Sequence, residues 1–178
     1  FSGDGVSTMV RVAPQAIDDS RTFTAMDTGF GDRSFCAISS NKIRCSGFSS
    51  TEGIFGIGSE PLIVGSIWSD ARNSYTQVAS GRNHMCALRS TGKLFCAGHA
   101  TYSGTGSLSN TLNAVDSAND YSAIAVGYNH SCAIRTSGAL TCWGAGGAGR
   151  LGTGGTGNQS TPVVVDSGTN YSKLSLGI

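Results

Sequence analysis

The sequence predicts an all-β protein: a β-propeller of four-stranded blades of about 50 residues, present as an incomplete arc. Three observations carry that expectation. A cassette with a cysteine at each end occurs three times, an aromatic residue opens each unit at a near-constant interval, and glycine is abundant while charge is scarce. The cassettes are Cys36-Ala-Ile-Ser-Ser-Asn-Lys-Ile-Arg-Cys45, Cys86-Ala-Leu-Arg-Ser-Thr-Gly-Lys-Leu-Phe-Cys96 and Cys132-Ala-Ile-Arg-Thr-Ser-Gly-Ala-Leu-Thr-Cys142, and they use all 6 cysteines of the 178-residue chain.

The units follow in order. Residues 1–22 read as the tail of a preceding repeat, because Val6-Ser-Thr-Met-Val-Arg-Val12 parallels Gln159-Ser-Thr-Pro-Val-Val-Val165. Repeats then run over 23–74, 75–120 and 121–170, opened by Phe23, Tyr75 and Tyr121, and 171–178, opened by Tyr171, is the head of another. In the third repeat, alternation runs from Tyr121 to Val126 and from Cys132 to Arg135. It resumes from Ala139 to Trp143, and β-branched Val163 to Val165 closes the unit. That is about four short strands separated by Gly, Ser, Asn and Thr turns. A β-solenoid is the competing reading, with shorter coils and fewer hairpins. Tyr171 to Ile178 is expected to form an inner strand, and Phe1 falling in mid-repeat suggests a piece of a longer chain, or one completed by another subunit.

Composition bounds the function classes. Glycine is 26 of 178 residues, charged residues are 13%, and the formal net charge is +1. No basic run offers a nucleic-acid footprint. No apolar stretch approaches the ~18 residues of a membrane span.

Hairpin geometry makes the cysteines meaningful. With Ser90-Thr91-Gly92 as a three-residue loop, Cys86 faces Cys96, and glycine falls where the bulge needs a left-handed residue. Thr136-Ser137-Gly138 does the same for Cys132 and Cys142. In the first cassette, one residue shorter, a two-residue turn at Ser40-Asn41 sets Cys36 opposite Cys45. Opposed antiparallel pairs lie ~4.5–5.5 Å apart at Cα, within disulfide range. Each bridge would contribute roughly 2–3 kcal/mol by the chain-entropy argument, and would place the protein in an oxidising compartment, secreted or at the cell surface. Reduced thiols in apolar positions are one alternative. Zinc is another, since His84-Met-Cys86 and His130-Ser-Cys132 have ligand-like spacing; against it, the first repeat has Ser34 at the histidine position and no copy has a CxxC. No cofactor or metal is expected. His84 and His130 read as structural, each in a Gly-Xaa-Asn-His turn just before a strand, bonding to backbone, with His99 a loop residue.

The third copy resembles the regulator of chromosome condensation repeat family. The residues that carry this are Gly127-Tyr-Asn-His130-Ser-Cys-Ala-Ile-Arg-Thr-Ser-Gly138, Trp143-Gly144, Gly149-Arg-Leu-Gly152 and Pro162, with Arg150 where the family has Gln. The second copy keeps Gly81, His84, Cys86 and Gly92 but has Cys96-Ala-Gly98 in place of the tryptophan, and the first copy is weaker. The resemblance implies a propeller, commonly of seven blades. The cysteine pairs are similar to those of secreted bacterial members and unlike the nuclear exchange-factor branch.

No catalytic constellation is visible, so an enzyme is not expected. Gly144-Ala-Gly146-Gly-Ala-Gly149 matches a dinucleotide-binding pattern, but Arg150-Leu-Gly-Thr-Gly-Gly cannot start the helix that would hold a pyrophosphate. The variable loops between third and fourth strands offer Phe55, Tyr102 and Arg150 as binding candidates; alternatively these cover glycine-rich backbone. Sequons occur at Asn129, Asn158 and Asn170, and chance accounts for them outside a eukaryotic secretory pathway. The leading expectation is an extracellular module that binds another protein, or a cell-surface glycan, without catalysis. The alternatives are a guanine-nucleotide exchange factor for a small GTPase, as the resemblance suggests, and a structural subunit of a fibre.

Overall fold

Among the described residues, twelve short strands are arranged as three separate antiparallel sheets. The structure, a computed structural model, describes residues 22–28, 34–47, 63–69 and 72–178. The first sheet contains β1 (Phe23–Thr28), β2 (Ser34–Ser39), β3 (Lys42–Gly47) and β4 (Ile63–Ser69). The second contains β5 (Tyr75–Ser80), β6 (His84–Arg89), β7 (Leu94–Gly98) and β8 (Ser109–Ala114). The third contains β9 (Tyr121–Val126), β10 (His130–Arg135), β11 (Leu140–Gly144) and β12 (Gln159–Asp166). Every strand pairs with its sequence neighbour, so each sheet is a meander. A single 3-10 turn at Gly147–Gly149 is the one helical element among the described residues. This is a propeller arc of three blades.

The registers follow from the turns. Ser40 and Asn41 both take positive φ, at 51° and 59°, the type I′ turn that matches strand twist. In the other two hairpins Gly92 and Gly138 sit at φ +78° and +87°, and Arg89 and Arg135 close the loops by donating to Lys93 and Ala139 carbonyls. Counting inward from those hydrogen-bonded pairs, each cysteine pair falls in the narrower, non-hydrogen-bonded register. Cys36–Cys45, Cys86–Cys96 and Cys132–Cys142 are disulfides, all with Cα atoms 4.1 Å apart, a little inside the expected spacing.

The core lies between blades. Cys36, Ile38, Ile43 and Cys45 of the first blade pack on Tyr75, Met85, Ala87 and Phe95 of the second. Cys86, Leu88, Leu94 and Cys96 then pack on Tyr121, Ala133 and Trp143 of the third. A strand's alternating side chains thus face opposite neighbours, which is why both faces are apolar.

Backbone contacts repeat with the blades. Tyr75 donates its N–H to Asn41, Tyr121 to Gly92 and Tyr171 to Gly138, each reaching the preceding hairpin tip. A Cβ on Gly81 would lie 2.6 Å from the Gly127 carbonyl, and one on Gly127 would lie 2.6 Å from that of Gly177. Residues 171–178 therefore sit on the third blade as β9 sits on the second, with Leu174 and Leu176 against Cys132, Cys142 and Leu151. The expected inner strand is corrected in one respect: this segment carries no strand ladder, because no described strand lies beside it to supply hydrogen-bond partners. Val6–Val12 lies outside the described residues.

Candidate functional site

Strand direction divides the arc into two rims. On one, the turn after each inner strand meets the loop after each third strand: His99 donates to Asn83 O at 2.9 Å, and Ala145 to Asn129 O at 2.8 Å. On the other, hairpin tips meet the inter-blade links, as in Thr136 N–H to Asp120 O at 2.6 Å. The loop rim carries Tyr102 and Arg150; Phe55 lies outside the described residues.

Tyr102 stacks on His99, with centroids 4.2 Å apart, and its ring lies 6.0 Å from His84. It is half-buried, held as a wedge over the second blade. Arg150 is exposed, and its Nε donates to Gly147 O at 2.9 Å. The loop that spells the dinucleotide pattern forms only the 3-10 turn, so no helix N-terminus stands there. Among the described residues Leu108, at 63% exposure, and Ile178 are large apolar side chains exposed on this rim. Arg82, on the preceding turn, lies over the Tyr128 ring at 5.1 Å.

The motif residues converge on the seam beneath this rim. The expected bond from ring to local backbone is corrected at His84. His84 and His130 are the first residues of β6 and β10, opposite Gly98 and Gly144, and His84 Nε2 reaches across the seam to Ser131 Oγ at 2.7 Å. A hydroxyl from the next blade, rather than local backbone, holds the ring, because the turn points the imidazole sideways out of its own sheet. Burial, reinforced by the nearby His130 and His99 rings, pushes the His84 pKa down to about 3. Burial also lowers that of His130, with Arg150 adding to it. Both rings are neutral at pH 7. Trp143 is fully buried and packs across the same seam against the second blade's loop, where a Cβ on Gly104 would lie 2.5 Å from its Nε1. Neither histidine stands beside a metal-ligand set: among the described residues no three His, Cys, Asp or Glu side chains group around a common point. All six cysteines are in disulfides.

On the hairpin rim the structure shows a cluster that was not singled out. Tyr121 Oη donates to Asp116 Oδ2 at 2.6 Å, and Arg135 lies over the Tyr121 ring at 4.5 Å while bonding Asp116 at 3.0 Å and Asp120 at 2.5 Å. Burial pulls the Asp116 pKa up, but the bonds from Tyr121, Arg135 and the Ala118 N–H outweigh it and leave it below the usual carboxylate value. The signal was present: Asp70, Asp116 and Asp166 each stand five residues before a repeat-opening tyrosine. Asp166 bonds Tyr171 in the same way, at 3.4 Å. This cluster clasps one blade to the next.

With this geometry in view, the comparisons agree. Residues 75–103 and 121–150 match the regulator of chromosome condensation (RCC1) repeat. The two matched stretches hold the first three strands of the second and third blades, which are similar to RCC1 repeats. Human WBSCR16 is similar in fold, with a TM-score of 0.75 at 18% identity over 90% of this chain and 44% of that one. Yeast RCC1 (Prp20), in its structure with Kap60 bound, gives 0.66 at 17% identity over 80% of this chain and 37% of that one. The ectodomain of the Physcomitrella patens receptor kinase CR4 gives 0.54 at 20% identity over 93% and 38%. The chain thus spans less than half the length of these structures. No curated protein sequence matches it. The fold is that of an RCC1-like propeller arc.

Proposed function

We propose that this protein is an extracellular, non-catalytic propeller module that binds another protein through its loop rim. The observation behind this is the rim itself: Leu108, Arg82 and Arg150 are exposed on loops whose ends are pinned by fixed turn contacts. Three disulfides support the oxidising compartment. A rigid scaffold with variable loops loses little entropy on binding.

The test is selection from a peptide-display library against the intact protein, followed by binding of the enriched peptides to rim variants. Leu108→Asp should abolish their binding, while Lys93→Gln on the hairpin rim should leave it unchanged; the reverse pattern would move the site. Full reaction of the cysteines with an alkylating reagent in unreduced protein would sink the extracellular assignment. A second reading is exchange-factor activity. It is favoured by the likeness to Prp20, whose binding to Gsp1p and histones is named with its structure. Accelerated nucleotide release from a small GTPase would establish it in place of the first.

A further inference from the structure

The carboxylates of residues 72–178 are Asp116, Asp120 and Asp166, and all three lie at the hairpin rim, at the ends of outer strands or in the links that follow them. There they meet Arg135, Tyr121 and Tyr171. The loop rim of the same two blades carries Arg82 and Arg150, both exposed, with no ion-pair partner among the described residues. The loops that carry them both touch one short turn, Gly127 to His130: Arg82 N–H bonds Tyr128 O, and Ala145 N–H bonds Asn129 O. Arg82 donates its backbone N–H to Tyr128 O at 3.1 Å and lays its guanidinium over the Tyr128 ring at 5.1 Å. Arg150 is tied by its Nε to Gly147 O, and its charge is felt at His130, where it helps hold the imidazole neutral.

Each guanidinium is thus held by one contact, Arg82 over the Tyr128 ring and Arg150 through its Nε to Gly147 O, while both side chains are exposed. A fork held in place loses less rotamer freedom when a planar oxyanion bonds to it. We propose that Arg82 and Arg150 form a two-point carboxylate clamp, and that the partner is a protein segment bearing acidic side chains that crosses the Gly127–His130 turn. This deepens the reading of the loop rim as the binding face, and rests on it.

The same contacts argue against the other carboxylate source, an acidic glycan. A sugar ring gains specificity by stacking on an open aromatic face, but one face of Tyr128 is covered by Arg82, and Tyr102 is stacked on His99 and leans on His84. Two cations are also far too few to track a nucleic-acid backbone. Charge-assisted bonds to Arg, which are directional and bidentate, suit Asp and Glu side chains.

The experiment is fluorescence anisotropy on the intact protein with three labelled probes: a peptide of alternating Glu and Gly, its Gln-for-Glu counterpart, and a hyaluronan oligosaccharide. The acidic peptide should bind, more weakly as NaCl rises, and the other two should not. Arg82→Gln and Arg150→Gln should each weaken it by roughly fivefold, whereas Arg89→Gln on the hairpin rim should have no effect. All three arginines can be replaced without touching the blade cores, and unchanged melting curves will confirm that each variant is folded. The clamp is refuted if the acidic peptide does not bind, if binding ignores Arg82 and Arg150, or if hyaluronan binds as tightly. A library-selected peptide whose binding is lost in Leu108→Asp yet indifferent to both arginines would also refute the clamp, while leaving the loop rim as a protein-binding face.

Discussion

His84 is a titratable ring held where water does not reach it, and Ser131 from the next blade meets its Nε2 at 2.7 Å. The bond spans 47 residues of sequence and lies inside the seam. A neutral imidazole left without a partner there would keep its full desolvation cost. Ser131→Ala should therefore destabilise the protein by about 1–3 kcal/mol, read as a lower urea midpoint with an unchanged slope. A shift indistinguishable from that of an exposed-serine control, Ser137→Ala, would show that the bond contributes nothing. The spacing of the chain places His84 at a strand start, but it says nothing about which neighbour the ring meets. That depends on the angle between two sheets, which a local pattern does not encode. Arg135 is similar: its partners Asp116 and Asp120 precede the third blade's first strand, and only the folded link brings them under the guanidinium.

At the scale of the element, the hairpin between β6 and β7 shows two demands on one residue. Gly92 has φ +78°, and a Cβ there would lie 2.4 Å from the Asn119 carbonyl of the link to the next blade. Gly106 shares the backbone demand, with φ +71°, but nothing lies within 4 Å of its Cβ position. Left-handed backbone costs an alanine about 1–2 kcal/mol; the collision adds to it. Gly92→Ala should thus lower the melting temperature well beyond Gly106→Ala, and equal losses would mean that the Asn119 contact yields freely. The φ requirement was legible, since the loop length fixes the bulge position. The steric one was not, because Asn119 arrives from the far side of the blade. The disulfides lie at the legible end as well, both ends of each being in one hairpin of known register.

Across the whole molecule, stability resides in the seams. Each blade is a small meander that cannot bury both of its faces alone, so neighbours supply the core. Side-chain amides reinforce this at the inner strands. Gln77 donates to Ser122 O at 3.0 Å and accepts from Ile124 N–H at 3.2 Å, standing in for a ladder between β5 and β9. Asp27 does likewise for the first seam by accepting from Ser80 N–H at 2.6 Å. Gln77→Ala should speed amide hydrogen exchange at Ile124 by about tenfold while leaving the β10–β11 ladder protected. Uniform loss of protection would mean that the arc opens as one unit and not seam by seam. Such clasps are poorly visible in sequence, because Ala25 and Ala123 occupy the matching positions in the other repeats.

The sequence by itself determined the blade: strand number, hairpin loops, cysteine pairing and the phase of the repeat. All of these follow from contacts between residues close in the chain, where turn chemistry and a two-residue period fix the outcome. The tertiary structure decided what lies between blades. It chose Ser131 for His84, Gly104 for Trp143 and Asp116 for Arg135, and it separated the carboxylates of the second and third blades from Arg82 and Arg150 by sending them to opposite rims. The physical reason is that a repeat specifies its own sheet through local hydrogen bonds, whereas a seam depends on how two such sheets twist and meet.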